Sequence, residues 1–174
     1  MPTPIGHALG AFAAGWGVAG QPPARGPHQR WWSRPALFVV IGVAADLDLA
    51  FGVHSAYTHS IGAATIVAAL VAGVTRQQRG LMGLAAAAAY LSHVALDLLS
   101  QDTSIPLGVM ALWPFSTHYF HSGLDLFFAT DRRYWLPGFW LRDLRAIAWE
   151  ILLVAPLAVF TLWIRRGPAI PQDE

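Results

Sequence analysis

Five apolar segments set the limits on what this chain can fold into: residues 5–20, 35–51, 60–74, 81–99 and 146–164. A helix that crosses a bilayer needs about 20 predominantly apolar residues, with about 17 as a lower limit. The second, fourth and fifth segments meet that length, and the first and third fall just short of it. Composition points the same way. Hydrophobic residues make up 55% of the chain and charged residues 12%, against about 25% charged in a typical soluble domain. The expected fold is all-α: a polytopic transmembrane bundle of about five helices, forming one membrane-embedded domain over residues 1–174. Small residues at Gly6, Gly10, Ala14 and Ala85 to Ala89 would let such helices approach closely. Residues 1–20 lack a basic start and carry His7 inside the apolar run, which reads as a retained first helix rather than a cleaved signal.

The connections give a topology. Arg25, Arg30 and Arg34 fall between the first two segments, Arg76 and Arg79 between the third and fourth, and Arg165 and Arg166 after the last. With five spans these sites share one face, and basic loops favour the cytoplasm. The expected placement is a bacterial-type inner (plasma) membrane, with the N-terminus outside. Residues 100–145 then fall on the outer face. Five Trp and Tyr residues from Trp113 to Trp140 suit that stretch to the lipid interface, whereas its four Arg (Arg132, Arg133, Arg142 and Arg145) run against the charge rule.

Several function classes are excluded at this point. A net charge of +1 and the lack of a basic stripe argue against a nucleic-acid partner. The chain has no Cys, which removes thiolate metal sites and disulfides together. No phosphate loop, nucleophile elbow or dinucleotide fingerprint is present.

The ionisable residues in or beside the spans carry the functional signal. Under the five-span topology His7, Asp46, Asp48, His54, His59, His93 and Asp97 all fall at one end of the bundle, and they do so even if the bundle is inverted. An Asp inside a span costs about 2.5–3.5 kcal/mol on insertion scales and needs compensation. A divalent cation supplies it, and His with carboxylate suits zinc first, with manganese or iron as alternatives. His93 and Asp97 stand at i, i+4 and so share a helical face. Asp46 and Asp48 form a short carboxylate pair that could also be a helix stop. His54 and His59 flank a short outer loop in which Thr58 is a plausible N-cap for the next helix. His118, His121 and Asp125 are weaker candidates, the last two again at i, i+4 if that stretch is helical. Glu150 is expected to neutralise Arg142 or Arg145 near the surface. The competing explanation for the whole set is that Asp–His pairs simply hydrogen-bond and fix helix packing.

In their order, His7, Ala45-Asp46-Leu47-Asp48, His54-Ser55-Ala56-Tyr57-Thr58-His59-Ser60, Ser92-His93-Val94-Ala95-Leu96-Asp97 and Trp113-Pro114-Phe115-Ser116 resemble the YdjM-like predicted membrane-bound metal-dependent hydrolases. The resemblance spans roughly residues 1–120. That family's pattern reads Pro-Asp-x-Asp and His-Arg-Gly-x-Thr-His. Here Ala45 replaces the Pro and Ser55-Ala56 the Arg-Gly, so a phosphate contact through that Arg is absent. The ligand order is also similar to that of zinc-dependent phospholipases C, read as His7, Asp48, His59, His93, Asp97, His118, His121 and Asp125. The similarity implies metal at the membrane surface, near phospholipid head groups.

The expected function is therefore a membrane-bound metal-dependent hydrolase acting on a phosphoester or lipid-linked substrate. Asp48, His59, His93 and Asp97 would ligate the metal, His7 and Asp46 would ligate it directly or stand just behind the ligands, and Asp46 or His54 would be the base. The alternatives are a non-catalytic metal-binding or transport protein, and a bundle held by Asp–His packing pairs.

Overall fold

Thr3 opens the first helix. Its extended backbone (φ −77°, ψ 163°) and its hydroxyl, which accepts from the Gly6 N–H at 3.4 Å, cap α1, Pro4–Ala19. Pro4 occupies the first turn, where its missing N–H costs nothing. In the computed structural model, which describes residues 1–20, 33–51, 55–103, 105–130 and 133–165, four more helices follow: α2 (Ser33–Val43), α3 (Ile61–Val74), α4 (Arg79–Leu98) and α5 (Phe139–Ile164). The described residues contain no strand, only isolated bridges from Ser100 to Phe127 and from Val109 to Phe120.

The second apolar segment does not continue as an α-helix. At Ala44 the backbone tightens into a 3₁₀ helix, Ala44–Phe51, that carries Asp46 and Asp48. Eight residues is long for this conformation, which rarely exceeds three or four and tends to mark functional positions. Ser60, not Thr58, caps α3: its side chain accepts from the Ala63 N–H at 3.1 Å. α5 begins seven residues before the expected start at Ala146 (139 against 146). Its first turns, Phe139 to Arg145, mix apolar side chains with Arg142, Asp143 and Arg145, so an unbroken apolar run does not reveal them.

α1 and α4 form the centre. α2 packs on both, α3 on α4, and α5 on α1. The fully buried members of the core between them are small side chains and one ring, Ala11, Phe38, Ala45, Ala85, Ala86 and Ala89, with Trp16 and Tyr90 at its margins. Gly42 lets α2 meet α1, since a Cβ there would stand 2.0 Å from the Ala11 Cβ. The connection after α4 folds back over its C-terminal end, where Val109 and Ala111 pack against Val94.

The helices run alternately between two ends of the bundle. At one end Arg34 donates to Gly20 O and Gln78 Oε1, Arg79 to Thr75 O, and Arg165 to Gly17 O. His7, Asp46, His59, His93 and Asp97 lie at the other. α4 (20 residues) and α5 (26 residues) are long and apolar enough to cross a membrane, and α3 is apolar but has only 14 residues. Length and composition thus mark two candidate spans rather than the five expected. α5 presents most of its surface outward, with Leu152, Leu157, Val159 and Trp163 each about 60% exposed or more (62%, 59%, 64% and 66%).

Candidate metal centre

Three elements and one turn bring the cluster together. α1 supplies His7 from its first turns, the 3₁₀ segment Asp46, the turn before α3 His59, and the last turns of α4 His93 and Asp97. Four of the five are buried, His59 and His93 at 0% and His7 and Asp97 at 1% exposure. Asp46 is the open member, with 22% of its side chain exposed.

The donor atoms crowd one point. His59 Nε2 lies 3.1 Å from His93 Nε2. Asp97 Oδ2 lies 3.4 Å from the first and 3.2 Å from the second. Asp46 Oδ1 is 3.6 Å from both. His7 Nε2 is 3.4 Å from Asp97 Oδ1, and its ring stacks on His93 with centroids 3.6 Å apart. Two triads, His7–Asp46–His93 and His59–His93–Asp97, each have ligand atoms close enough to share an ion.

Protonation follows from the partners on the far side of each ring. His93 Nδ1 lies 2.6 Å from Gly42 O. A carbonyl only accepts, so Nδ1 carries a proton, and Nε2 is the ring atom left to offer a lone pair to an ion. The Thr58 hydroxyl donates to Asp48 Oδ2 at 2.6 Å, leaving its oxygen to accept from His59 Nδ1 at 3.0 Å. Asp48 Oδ2 also stands 3.3 Å from that Nδ1. His59 Nε2 is thereby left as an acceptor as well. Two nitrogen lone pairs and the carboxylate oxygens of Asp46 and Asp97 then face one another with no donor among them.

Such a cluster needs a positive charge, either a proton or a metal ion. The proton version shows in His59, which stands outside the helices. Burial pushes its imidazole down, but Asp46 and Asp48 beside its two ring nitrogens, with Asp97 close by, outweigh burial and raise it to about 9. A metal fits equally well. Donors bonded to one zinc at about 2.0–2.1 Å stand about 3.3 Å apart in a tetrahedron, and the His59–His93–Asp97 triangle has sides of 3.1, 3.2 and 3.4 Å. Both oxygens of Asp97 are buried and make no hydrogen bond, and neither does His7 Nδ1. Buried polar atoms are otherwise hydrogen-bonded almost without exception.

The two carboxylates stand on opposite sides of the His59 ring. Asp48, expected as a ligand, stands behind His59 on the Nδ1 side and orients that ring. Asp46, expected as a ligand or as the base, offers Oδ1 to the Nε2 cluster. His54, the other candidate base, lies outside the described residues. His118 is exposed and takes no part in either triad. His121 and Asp125 do meet, at 3.5 Å, but not on a helix: Asp125 has φ +49° and His121 Nε2 contacts Ser100 O at 3.0 Å. Neither joins the cluster. Glu150 is fully buried and contacts Thr3, not Arg142 or Arg145. Tyr90, which sequence reasoning passed over, donates to Thr58 O at 2.7 Å and steadies the turn that holds His59.

An all-helical chain with a buried His/Asp cluster at one end, and two helices able to cross a bilayer, defines a class of membrane protein with a candidate metal centre. The chain belongs to the YdjM inner membrane protein family, whose sequence profile matches residues 1–169. No curated protein and no solved structure matches it.

Proposed function

We propose that this chain is a membrane-bound hydrolase dependent on a divalent metal, zinc by preference, that acts on a phosphoester or lipid-linked substrate at the outer face of the inner membrane. The observation that carries the reading is Asp97: a buried carboxylate with both oxygens free of hydrogen bonds, facing the Nε2 atoms of His7, His59 and His93. A packing pair needs one His per carboxylate, whereas three imidazole nitrogens converge on this one within 3.4 Å.

His59, His93 and Asp97 would hold the ion, with Asp46 and His7 at its edge. When bound, the metal supplies a water of lowered pKa and polarises the scissile group. The chain's own residues do the rest. Gly42 O and the Asp48–Thr58 pair keep the two imidazoles in the ligating tautomer, as outer partners do in metal sites generally. Asp46, the only partly open member of the cluster, is placed to take a proton from an incoming group. Leu47, next to Asp46 in the chain, and Tyr57, two residues before His59, are 68% and 55% exposed, apolar surface suited to a lipid-borne substrate.

Five membrane-crossing helices account for the alternation of the bundle. The Arg-bearing end would face the cytoplasm, and the exposed rings of Phe115, Tyr134, Trp135 and Trp140 would lie at the outer interface. A cluster at one end of the bundle, not midway along it, favours a surface reaction over a conduit.

The test is turnover by the zinc-loaded full chain on bis(p-nitrophenyl) phosphate and on phosphatidic acid in mixed micelles. Zinc-dependent product that disappears in Asp97→Asn is the expected result. A wild type that binds zinc and turns over neither would leave a non-catalytic metal-binding protein.

A further inference from the structure

Glu150 is a fully buried carboxylate on the most outward-facing helix, α5, between neighbours Trp149 and Ile151 that are 39% and 43% exposed. Its partners are all in the first turn of α1. Oε1 accepts from the Thr3 N–H at 2.8 Å, and Oε2 accepts from the Thr3 hydroxyl. That hydroxyl oxygen accepts in turn from the Gly6 N–H. The carboxylate therefore gathers the donors that a helix start leaves unpaired, and places its charge at the positive end of the helix dipole. Gly6 makes the approach feasible, because a Cβ there would stand 2.6 Å from Glu150 Oε2.

The next residue of α1 is His7. Its backbone N–H donates to Thr3 O at 3.1 Å, and its ring reaches both Asp97 and His93. A slide of α1 by a single residue would displace that ring by about 1.5 Å, enough to break a donor spacing of 3.4 Å. α5 packs chiefly on α1, so Glu150 sets the height of α1 from a helix that itself contributes nothing to the cluster.

We infer that Glu150 is a positioning residue for the metal centre: by gripping Thr3 it fixes the depth of α1 and holds His7 against Asp97 and His93. This rests on the reading of the cluster as a metal centre.

The experiment is zinc affinity of the full chain in detergent, by competition with a chromophoric chelator, for wild type, Glu150→Ala, Glu150→Gln, His7→Ala and the double variant His7→Ala/Glu150→Ala. Glu150→Ala should weaken zinc binding about tenfold, the low end for a residue that supports a ligand. Glu150→Gln, which can still accept from the Thr3 N–H and donate to its hydroxyl, should recover most of that loss. In the His7→Ala background Glu150→Ala should have no further effect, a result that a merely stabilising role would not give. Zinc binding unchanged in Glu150→Ala, or losses that multiply in the double variant, overturns the inference and leaves the metal centre standing. A wild type that binds no zinc overturns the metal-centre reading itself. Thr3→Ala deletes only the bridging hydroxyl and carries the same test if Glu150→Ala does not survive purification: weaker binding that vanishes with His7→Ala supports the inference, and unchanged binding refutes it.

Discussion

Replacing Gly42 by Ala should damage the cluster without altering any of its ligating side chains. The added methyl would stand 2.0 Å from the Ala11 Cβ and 3.1 Å from His7 O. Carbon atoms settle at about 3.5–4.0 Å, so α2 must withdraw from α1 by about 1.5–2 Å. Gly42 O moves with it. Its hydrogen bond to His93 Nδ1, now 2.6 Å, would open to about 4 Å, beyond hydrogen-bonding range. His93 then loses the partner that keeps its proton on Nδ1 and its lone pair on Nε2. Losing such a support typically costs 10- to 100-fold in metal affinity, about 1.4–2.8 kcal/mol. Overpacking adds a separate loss of about 1–3 kcal/mol in stability. The assay is zinc competition plus thermal unfolding of detergent-purified protein. Gly73→Ala is the control: it sits in α3 with open space around it, where Ala is favoured over Gly by up to about 1 kcal/mol. Wild-type zinc affinity in Gly42→Ala would refute the claim that the Gly42 carbonyl fixes the His93 tautomer.

Three further outcomes follow from the same geometry. Asp48→Asn should weaken zinc binding about 10-fold or more by freeing the His59 ring, measured by the same competition; an unchanged affinity would remove Asp48 from the support of His59. His118→Ala and His121→Ala should leave metal content at the wild-type value, read by elemental analysis, and a lost equivalent in either would place a second ion outside the cluster. The pH dependence has opposite signs with and without metal. His59 is raised from 6.5 to about 9, so metal-free protein gains stability from its proton below pH 6.5 and loses that gain as pH rises through about 9. Zinc must displace that proton. Binding at neutral pH should therefore release about one proton per ion and weaken about tenfold for each unit of acidification. Calorimetry in buffers of different ionisation enthalpy measures the release, and a proton count of zero would contradict the charge assigned to His59.

The sequence made the members of the cluster visible because hydrocarbon makes charge conspicuous. His7, His93 and Asp97 interrupt apolar segments, and nothing short of a shared partner explains three such costs at one end. What each residue does within the cluster was less legible. Asp46 and Asp48 reach opposite ring nitrogens of His59 where the backbone leaves the α conformation at Ala44. The tighter turn changes where each carboxylate points, and no residue in Ala44-Ala45-Asp46 announces the change. His121 and Asp125 have helical spacing, but the bridge between Val109 and Phe120 and the positive φ of Asp125 keep that stretch from forming a helix. Thr58 and Ser60 are both good capping residues, and only the position of Asp48 explains why Thr58 serves the carboxylate and Ser60 the helix. Glu150 was misread for a simpler reason. Its partner Thr3 lies 147 residues away, and separation of that kind leaves no local trace.

Metal content of the detergent-purified full chain, compared with His93→Ala prepared identically, tests the central claim most directly. The wild type should carry about one equivalent of zinc, manganese or iron and the variant none, since His93 belongs to both triads. A wild type that retains no metal after soaking and washing would refute the metal centre, and the buried His and Asp side chains would then be holding protons between helices instead of an ion.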